Sequence, residues 1–377
     1  MLLLAVAGGL PLLLTQQATG SPAPVAGDSV VSSPDCGGVG FTKIIIPHAP
    51  KGFGCVHTAA DTLQTLPVHA RAGMPARSVQ VNPKCYGDGL TGPRLQMIYG
   101  YSEGEPNRSK TVVPIIQKTI VPRMEAIIQA ASGGKDLGIR FAMTKGCKAI
   151  DVKVVRFPRS VLYGGKVGDA VEQFGKAIDY LHQNGFNRND RKYQIIWDGW
   201  TSGGICGLGL TNISMDLPEQ VNTHNGLPTI GGYTDSGSVV RATGQQIDLT
   251  STSMIWGHVF GKRGPSCWGI GKSDNAGAEV HEFFHDLSAV QSTAPNTNGA
   301  GHCLDVPSVM CYGAGIYYVA SCDHTPVPVL DCKQDDYWNP NPAPGSYMDT
   351  HANIARSQFF GPQPSDYFAM LPVTSPL

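Results

Sequence analysis

The chain has 377 residues, with 28 Lys and Arg against 29 Asp and Glu, and only 15% of its residues are charged. This near-neutral balance excludes the strongly basic surface with which proteins bind nucleic acids or anionic membranes. The 46 Gly and 28 Pro exclude a coiled coil or a repeat-helical protein and are typical of a loop-rich extracellular chain.

The first residues read as an export signal. Met1–Leu14 is apolar, but it is shorter than the roughly 20 residues that a membrane span needs. We expect residues 1–26 to be a signal peptide, with cleavage after Ala18, Ala23 or, as the favoured site, Ala26. The protein is then secreted and has no stable membrane association; a membrane anchor is the alternative.

The ten cysteines all follow the signal segment, and none forms a CxxC pair. In a secreted chain this even number favours disulfide bonds over metal-bound thiolates. Short separations favour the local pairs Cys303–Cys311 and Cys322–Cys332.

The chain divides by composition into an arm and a folded region. Residues 27–90 are predicted to form an N-terminal arm or a propeptide, and residues 91–377 one domain. Alternating apolar residues over Leu95–Tyr101 predict a half-buried strand. Val112–Ala131 is predicted to be helical, with a kink or break at Pro122.

Strands and helices then alternate. Asp169 and Glu172 form a capping-box pattern that begins a helix, and Asn184-Gly185 ends it. After Leu287 the sequence predicts irregular structure. The alternation predicts an α/β (α+β) fold in which helices pack on a mixed sheet. Further predicted strands are Ile139–Met143, Val152–Phe157 and Tyr193–Trp197.

The motif that carries chemistry is His281-Glu282-Phe283-Phe284-His285. On a helix the two His lie one turn apart on one face, so both imidazoles can bind one zinc ion. Glu282 would hold a zinc-bound water and move its protons without binding the metal.

The helical reading has support from the flanking residues. Asp274 or Asn275 can cap the helix, and apolar residues form a stripe rotated away from the two His. We therefore expect the His pair to face a cleft. The stripe comprises Val280, Phe283, Phe284, Leu287 and Val290.

A catalytic zinc takes three protein ligands plus water, so a third ligand is needed. No Glu follows Glu282, which leaves His, Asp or a neutral amide. The downstream histidines are His302, His324 and His351.

Ser308-Val309-Met310-Cys311-Tyr312 resembles the Met-turn of the metzincin zinc proteases, which read HExxHxxGxxH and then S-[VI]-M-x-Y. The resemblance covers residues 275–313. Two positions depart from the pattern, since Ser288 replaces the bend glycine and Gln291 replaces the third His. The resemblance implies a mixed twisted sheet with helices, an active-site helix and an irregular, disulfide-braced C-terminal lobe.

The departures change the expected site. Without the glycine the helix can run on past Ser288, and the third zinc ligand then comes from the following loop. His302 is the first choice, Asp305 the second and Gln291 the third. Tyr312 resembles the Met-turn tyrosine that donates a hydrogen bond to the oxyanion; a half-buried aromatic is the alternative.

The leading interpretation is a secreted zinc-dependent endopeptidase, with residues 91–377 as its catalytic domain and proteins or peptides as substrates. One alternative is a non-catalytic secreted binding module on the same fold. The other is a zinc hydrolase of non-peptide amides.

Overall fold

All described residues belong to the unit Val31–Leu377. The predicted signal peptide, residues 1–26, and most of the predicted arm, residues 27–90, lie outside the described residues, so those two assignments stay predictions. The computed structural model describes residues 41–45, 53–57, 79–161, 170–188, 190–201, 206–210, 252–259, 267–268, 276–287, 289–291, 293–297, 301–305, 308–311, 328–351 and 353–362.

A five-stranded mixed sheet forms the centre of the fold. Its strand order is β5-β3-β6-β8-β7, in which the first four strands are parallel and β7 is an antiparallel edge strand. With helices on this sheet, the predicted α+β class is confirmed. The strands are β1 (Phe41–Ile45), β2 (Phe53–His57), β3 (Arg94–Ser102), β4 (Gly138–Ile139), β5 (Val152–Phe157), β6 (Arg191–Thr201), β7 (Gly207–Gly209), β8 (Thr252–Val259) and β9 (Phe360–Gly361).

Both faces of the sheet are covered. Along β3, Met97 and Tyr99 pack into one apolar cluster, called the main cluster below, with the helices Ser109–Ile115, Val121–Ala130 and Gly277–Asp286. Ile98 packs into a second cluster with the helix Ala170–Gln183. The prediction of a half-buried strand here is therefore wrong, because a central parallel strand has helices on both sides. The helices are α1 (Ser109–Ile115), α2 (Val121–Ala130), α3 (Ala170–Gln183), α4 (Gly277–Asp286) and α5 (Tyr347–Thr350).

The predicted break at Pro122 is present as a change of helical winding. A π-helical turn, Ile116–Ile120, separates α1 from α2, and Pro122 occupies the first turn of α2. Proline has no amide hydrogen to donate to the preceding turn, so the ladder of α-helical bonds is interrupted there. The predicted strand Ile139–Met143 is shorter than expected: only Gly138–Ile139 is a strand, and Phe141 and Met143 form single bridges.

Disulfides brace the described residues. Cys303–Cys311 forms as predicted, and Cys85–Cys147 and Cys206–Cys267 join distant segments. Cys332 is also disulfide-bonded, but its predicted partner Cys322 lies outside the described residues. Disulfides of this number are typical of an oxidising, extracellular-like compartment. In the described ranges, no helix is both long and apolar enough to cross a bilayer.

Candidate metal centre

The HExxH segment lies on α4, which begins at Gly277. Its N-cap is Ala276, which has a left-handed backbone with φ of 62° and makes no side-chain capping bond. The predicted capping residues, Asp274 and Asn275, lie outside the described residues. The carbonyl of Ala276 accepts the amide of Val280 at 3.1 Å, which starts the helical ladder.

Residues 279–286 of α4 are buried on every side of the helix. Phe283 and Phe284 pack in the main apolar cluster, as the predicted stripe required. The two His on the other face are buried as well, with His281 4% and His285 1% exposed. The expectation that they face a cleft stays a prediction; on this side of the helix Gly209 of β7 lies against His285.

The helix ends at Asp286 and does not run on past Ser288 as expected. The amide of Ala289 donates to the carbonyl of Phe284 at 3.0 Å, and so does the amide of Leu287. The first of these bonds is the one that closes a Schellman-type helix end. The helix thus ends one residue after His285, and Ala289 and Val290 pack into the apolar cluster of Phe283 and Phe284.

Three imidazoles converge beside this helix end. The Nε2 atoms of His281 and His285 lie 3.0 Å apart, and the Nε2 of His302 lies 3.0 Å from the first and 3.1 Å from the second. All three side chains are buried, with His302 fully so. The group has the composition and spacing to hold a metal ion.

Hydrogen bonding alone does not account for this triangle of nitrogens. An Nε2 atom carries either one hydrogen or one lone pair, so three of them cannot all be satisfied by one another. A point at the centre of the triangle lies about 1.8 Å from each nitrogen, slightly less than the 2.0–2.1 Å of a Zn–N bond. A metal ion held by these three nitrogens would satisfy all of them at once.

The orientation of His281 is set by the segment that resembles a Met-turn. Its Nδ1 lies 2.8 Å from the carbonyl oxygen of Val309 and donates to it, which leaves the Nε2 lone pair for a metal. The segment is a tight turn, because the amide of Cys311 donates to the carbonyl of Ser308 at 3.0 Å. Met310 is fully buried in the main cluster.

His302 is placed by a short braced loop. The neighbouring Cys303 is bonded to Cys311, with 4.1 Å between their Cα atoms. The amide of Cys303 donates to the carbonyl of Met310, and the amide of Leu304 donates to the carbonyl of Asn296. These bonds hold the third imidazole beside the two on the helix, although this region has almost no regular structure.

Glu282 lies against the edge strand β7. A Cβ atom on Gly207 would stand 2.4 Å from Oε1 of Glu282, and one on Gly209 would stand 2.7 Å from Cβ of His285. Only glycine permits a strand backbone to approach the helix this closely. Sequence reasoning missed these two positions, although glycines that alternate along a strand point to one face and are a usable signal.

The other candidates fall elsewhere. Asp305 belongs to a separate group of acidic residues. Gln291 is buried after the helix end, and its carbonyl accepts the amide of Ala294. His351 stacks on Tyr347. Tyr312 and His324 lie outside the described residues, so the proposed role of Tyr312 stays a prediction.

No protein-family model matches this chain, and no curated protein matches it significantly. The interpretation of the site therefore depends on the chemistry of its own residues.

Proposed function

We propose that the three histidines hold a zinc ion and that the protein is a secreted zinc-dependent endopeptidase. The observation that carries this proposal is the convergence of three Nε2 atoms within 3.1 Å of one another. Three imidazoles suit zinc but also copper, nickel and iron. Zinc is favoured because a glutamate between the two helical histidines provides the proton-transfer group that zinc hydrolases need.

Zinc bound here would polarise a scissile carbonyl and lower the pKa of a coordinated water toward about 7. In this proposal Glu282 is the general base, which would accept the water proton and then deliver it to the leaving amine. The carbonyl of Val309 keeps His281 in the tautomer whose Nε2 lone pair points to the metal. The edge strand at Gly207 restricts the Glu282 carboxylate by direct contact.

The finer parts of the proposal have separate support. Peptide substrates are favoured by the resemblance of the HExxH and SVMCY segments to metzincins. Export is favoured by the apolar N-terminus and by the disulfides among the described residues.

The test is metal analysis of the purified full chain together with digestion of casein, with and without chelator. We expect about one zinc per chain and cleavage that chelator abolishes and added zinc restores. Bound zinc without cleavage of any peptide would favour the binding module. Hydrolysis restricted to small non-peptide amides would favour the third interpretation, and a chain without a transition metal would contradict the proposal.

A further inference from the structure

A second group of metal-ligating side chains lies in the irregular C-terminal region. One carboxylate oxygen from each of four aspartates lies within 4.8 Å of the others. We call this group the acidic cluster; it comprises Asp305, Asp331, Asp335 and Asp336. Asp305, Asp331 and Asp336 are 1%, 5% and 1% exposed, whereas Asp335 is partly exposed and opens the cluster to solvent.

Two oxygens of the cluster are buried and have no hydrogen-bond partner among the described residues: Oδ1 of Asp331 and Oδ2 of Asp305. The other oxygen of Asp331, Oδ2, accepts the amides of Asp336, Tyr337 and Trp338 at 2.7–3.2 Å. These bonds favour a charged carboxylate and leave Oδ1 as the oxygen free to bind a cation.

The remaining contacts satisfy the cluster only in part. Asn296 donates its amide to Oδ1 of Asp336 at 2.8 Å and its side-chain amide to the same carboxylate at 3.2–3.3 Å. Oδ1 of Asp305 lies 2.8 Å from Sγ of Cys311, but this sulfur is in a disulfide and has no hydrogen to donate. For the same reason Cys303 and Cys311 offer no thiolate to a metal.

Burial and mutual repulsion raise the pKa values of Asp305, Asp331 and Asp336. Such a group is stable only if the aspartates hold protons or if a cation neutralises them. A proton shared between Asp305 and Asp336 would join those two carboxyl groups by a hydrogen bond, but it would leave Oδ1 of Asp331 without a partner. A cation can bind an oxygen of all four carboxylates.

We propose that the acidic cluster binds one calcium ion. Calcium takes six to eight oxygen ligands at about 2.3–2.6 Å, so oxygens on opposite sides of one ion lie up to about 5 Å apart. The four carboxylate oxygens of the cluster all lie within 4.8 Å of one another, so they can surround one calcium ion. Magnesium is smaller and keeps several waters, so it suits a site with four carboxylate ligands less well.

This site is independent of the zinc proposal but lies close to the histidine group in sequence. Asp305 follows His302 by three residues in the same braced loop, and the amide of Cys332 and the carbonyl of Asp305 both bond Ser308 Oγ. Calcium would therefore join the loop that carries the third imidazole to the 331–336 segment.

The test uses the full chain, dialysed into calcium-free buffer, with its zinc content measured in every sample. Added CaCl2 is expected to raise the melting temperature by at least about 5 °C near saturation, with one calcium bound per chain. Equal MgCl2 is expected to have much less effect. Asp331→Asn and Asp336→Asn should each weaken calcium binding by about tenfold or more, whereas Asp179→Asn on α3 should not.

Terbium provides a measurement that needs no variant. Tyr337 and Trp338 directly follow Asp336, so excitation of these rings should sensitise the emission of Tb3+ bound in the cluster, and calcium should quench it by displacement. No bound calcium and no sensitised terbium emission would overturn the proposal and leave protonated carboxyls as the explanation. Calcium binding that both cluster variants retain in full would overturn it as well, because the ion would lie elsewhere.

Discussion

At the scale of single residues, Glu282 and His302 differ in what their removal should do. Glu282 is the proposed proton-transfer group and lies against β7, whereas His302 supplies one of the three converging nitrogens. Activity and metal content therefore separate the two roles.

Glu282→Gln should remove hydrolysis while bound zinc stays near one equivalent. An amide of the same shape keeps the packing against Gly207 but cannot accept a proton, and general base catalysis contributes about 10²–10⁴-fold. Single-turnover cleavage and metal content measured on the same sample test this. A zinc-loaded variant with wild-type turnover would remove Glu282 from the mechanism.

His302→Ala should weaken zinc binding by at least about 100-fold, because loss of a direct ligand exceeds the effect of losing an outer hydrogen-bond partner. His182→Ala, at the C-terminal end of α3, is the matched control and should leave zinc affinity unchanged. Competition with a chromophoric chelator measures both. If the His302 variant kept full affinity, Asp305 or Gln291 would have to take its place.

At the scale of elements, the contact between β7 and α4 places the edge strand against Glu282, the proposed general base. The strand is only three residues long and forms the antiparallel edge beside β8. Its two glycines bring backbone against Glu282 and His285, so a single added methyl group acts directly on the site.

Gly207→Ala should lower turnover and leave zinc affinity close to wild type, because the three atoms nearest to the new Cβ all belong to the Glu282 side chain. Overpacking of this kind also costs about 1–3 kcal/mol of stability. Gly100→Ala in β3 is the control, since its Cβ would crowd Ile195 and Phe157 within 2.9 Å. The control should lose stability at unchanged turnover per folded molecule, and equal turnover losses in the two variants would contradict the positional role.

At the scale of the whole molecule, one buried carboxyl makes stability depend on pH. Glu125 on α2 is fully buried and accepts the amide of Ile139 at 2.9 Å. Burial raises the pKa of Glu125 from its usual 4.5 to about 7, and Asp136 adds to the effect, while Ile139 and Gln129 oppose it through hydrogen bonds. Between pH 4.5 and 7 the folded state keeps a proton that the unfolded state has lost.

Stability from this group is therefore complete below pH 4.5 and falls as the pH rises through 7, by about 3 kcal/mol in total. Glu125→Gln should flatten that part of the profile. Urea unfolding between pH 5 and 8, at saturating calcium, measures the slope. Glu172→Gln, on the exposed side of α3, should keep the wild-type slope; a Glu125 variant with an unchanged slope would contradict the assignment.

Local patterns in the sequence predicted most elements. Three predictions depend only on residues that are close in sequence, and the structure agrees with each. They are the helix at 170–183, the strand at Tyr193 and the spacing of His281 and His285 on one helix. His302 is the first choice among three candidates because it lies between the helix and the segment that resembles a Met-turn, and the structure brings it beside His281 and His285.

The remaining features depend on contacts between distant segments. Burial of both faces of β3 requires helices that are far away in sequence. The close approach of Gly207 to Glu282 joins positions 75 residues apart. The acidic cluster likewise joins Asp305 to residues 331–336. Patterns within one segment of the sequence do not predict contacts of this kind.

The three converging imidazoles come from a short stretch of chain, in which His302 follows His285 by 17 positions. A metal that joins them acts as a cross-link over a small loop, and closing a loop of that size restricts the unfolded chain by only about 3 kcal/mol. The five sheet strands all lie before this loop, between residues 94 and 259. Apoprotein should therefore keep its sheet, so different metal ions can be exchanged into an already folded chain and their affinities and activities compared directly.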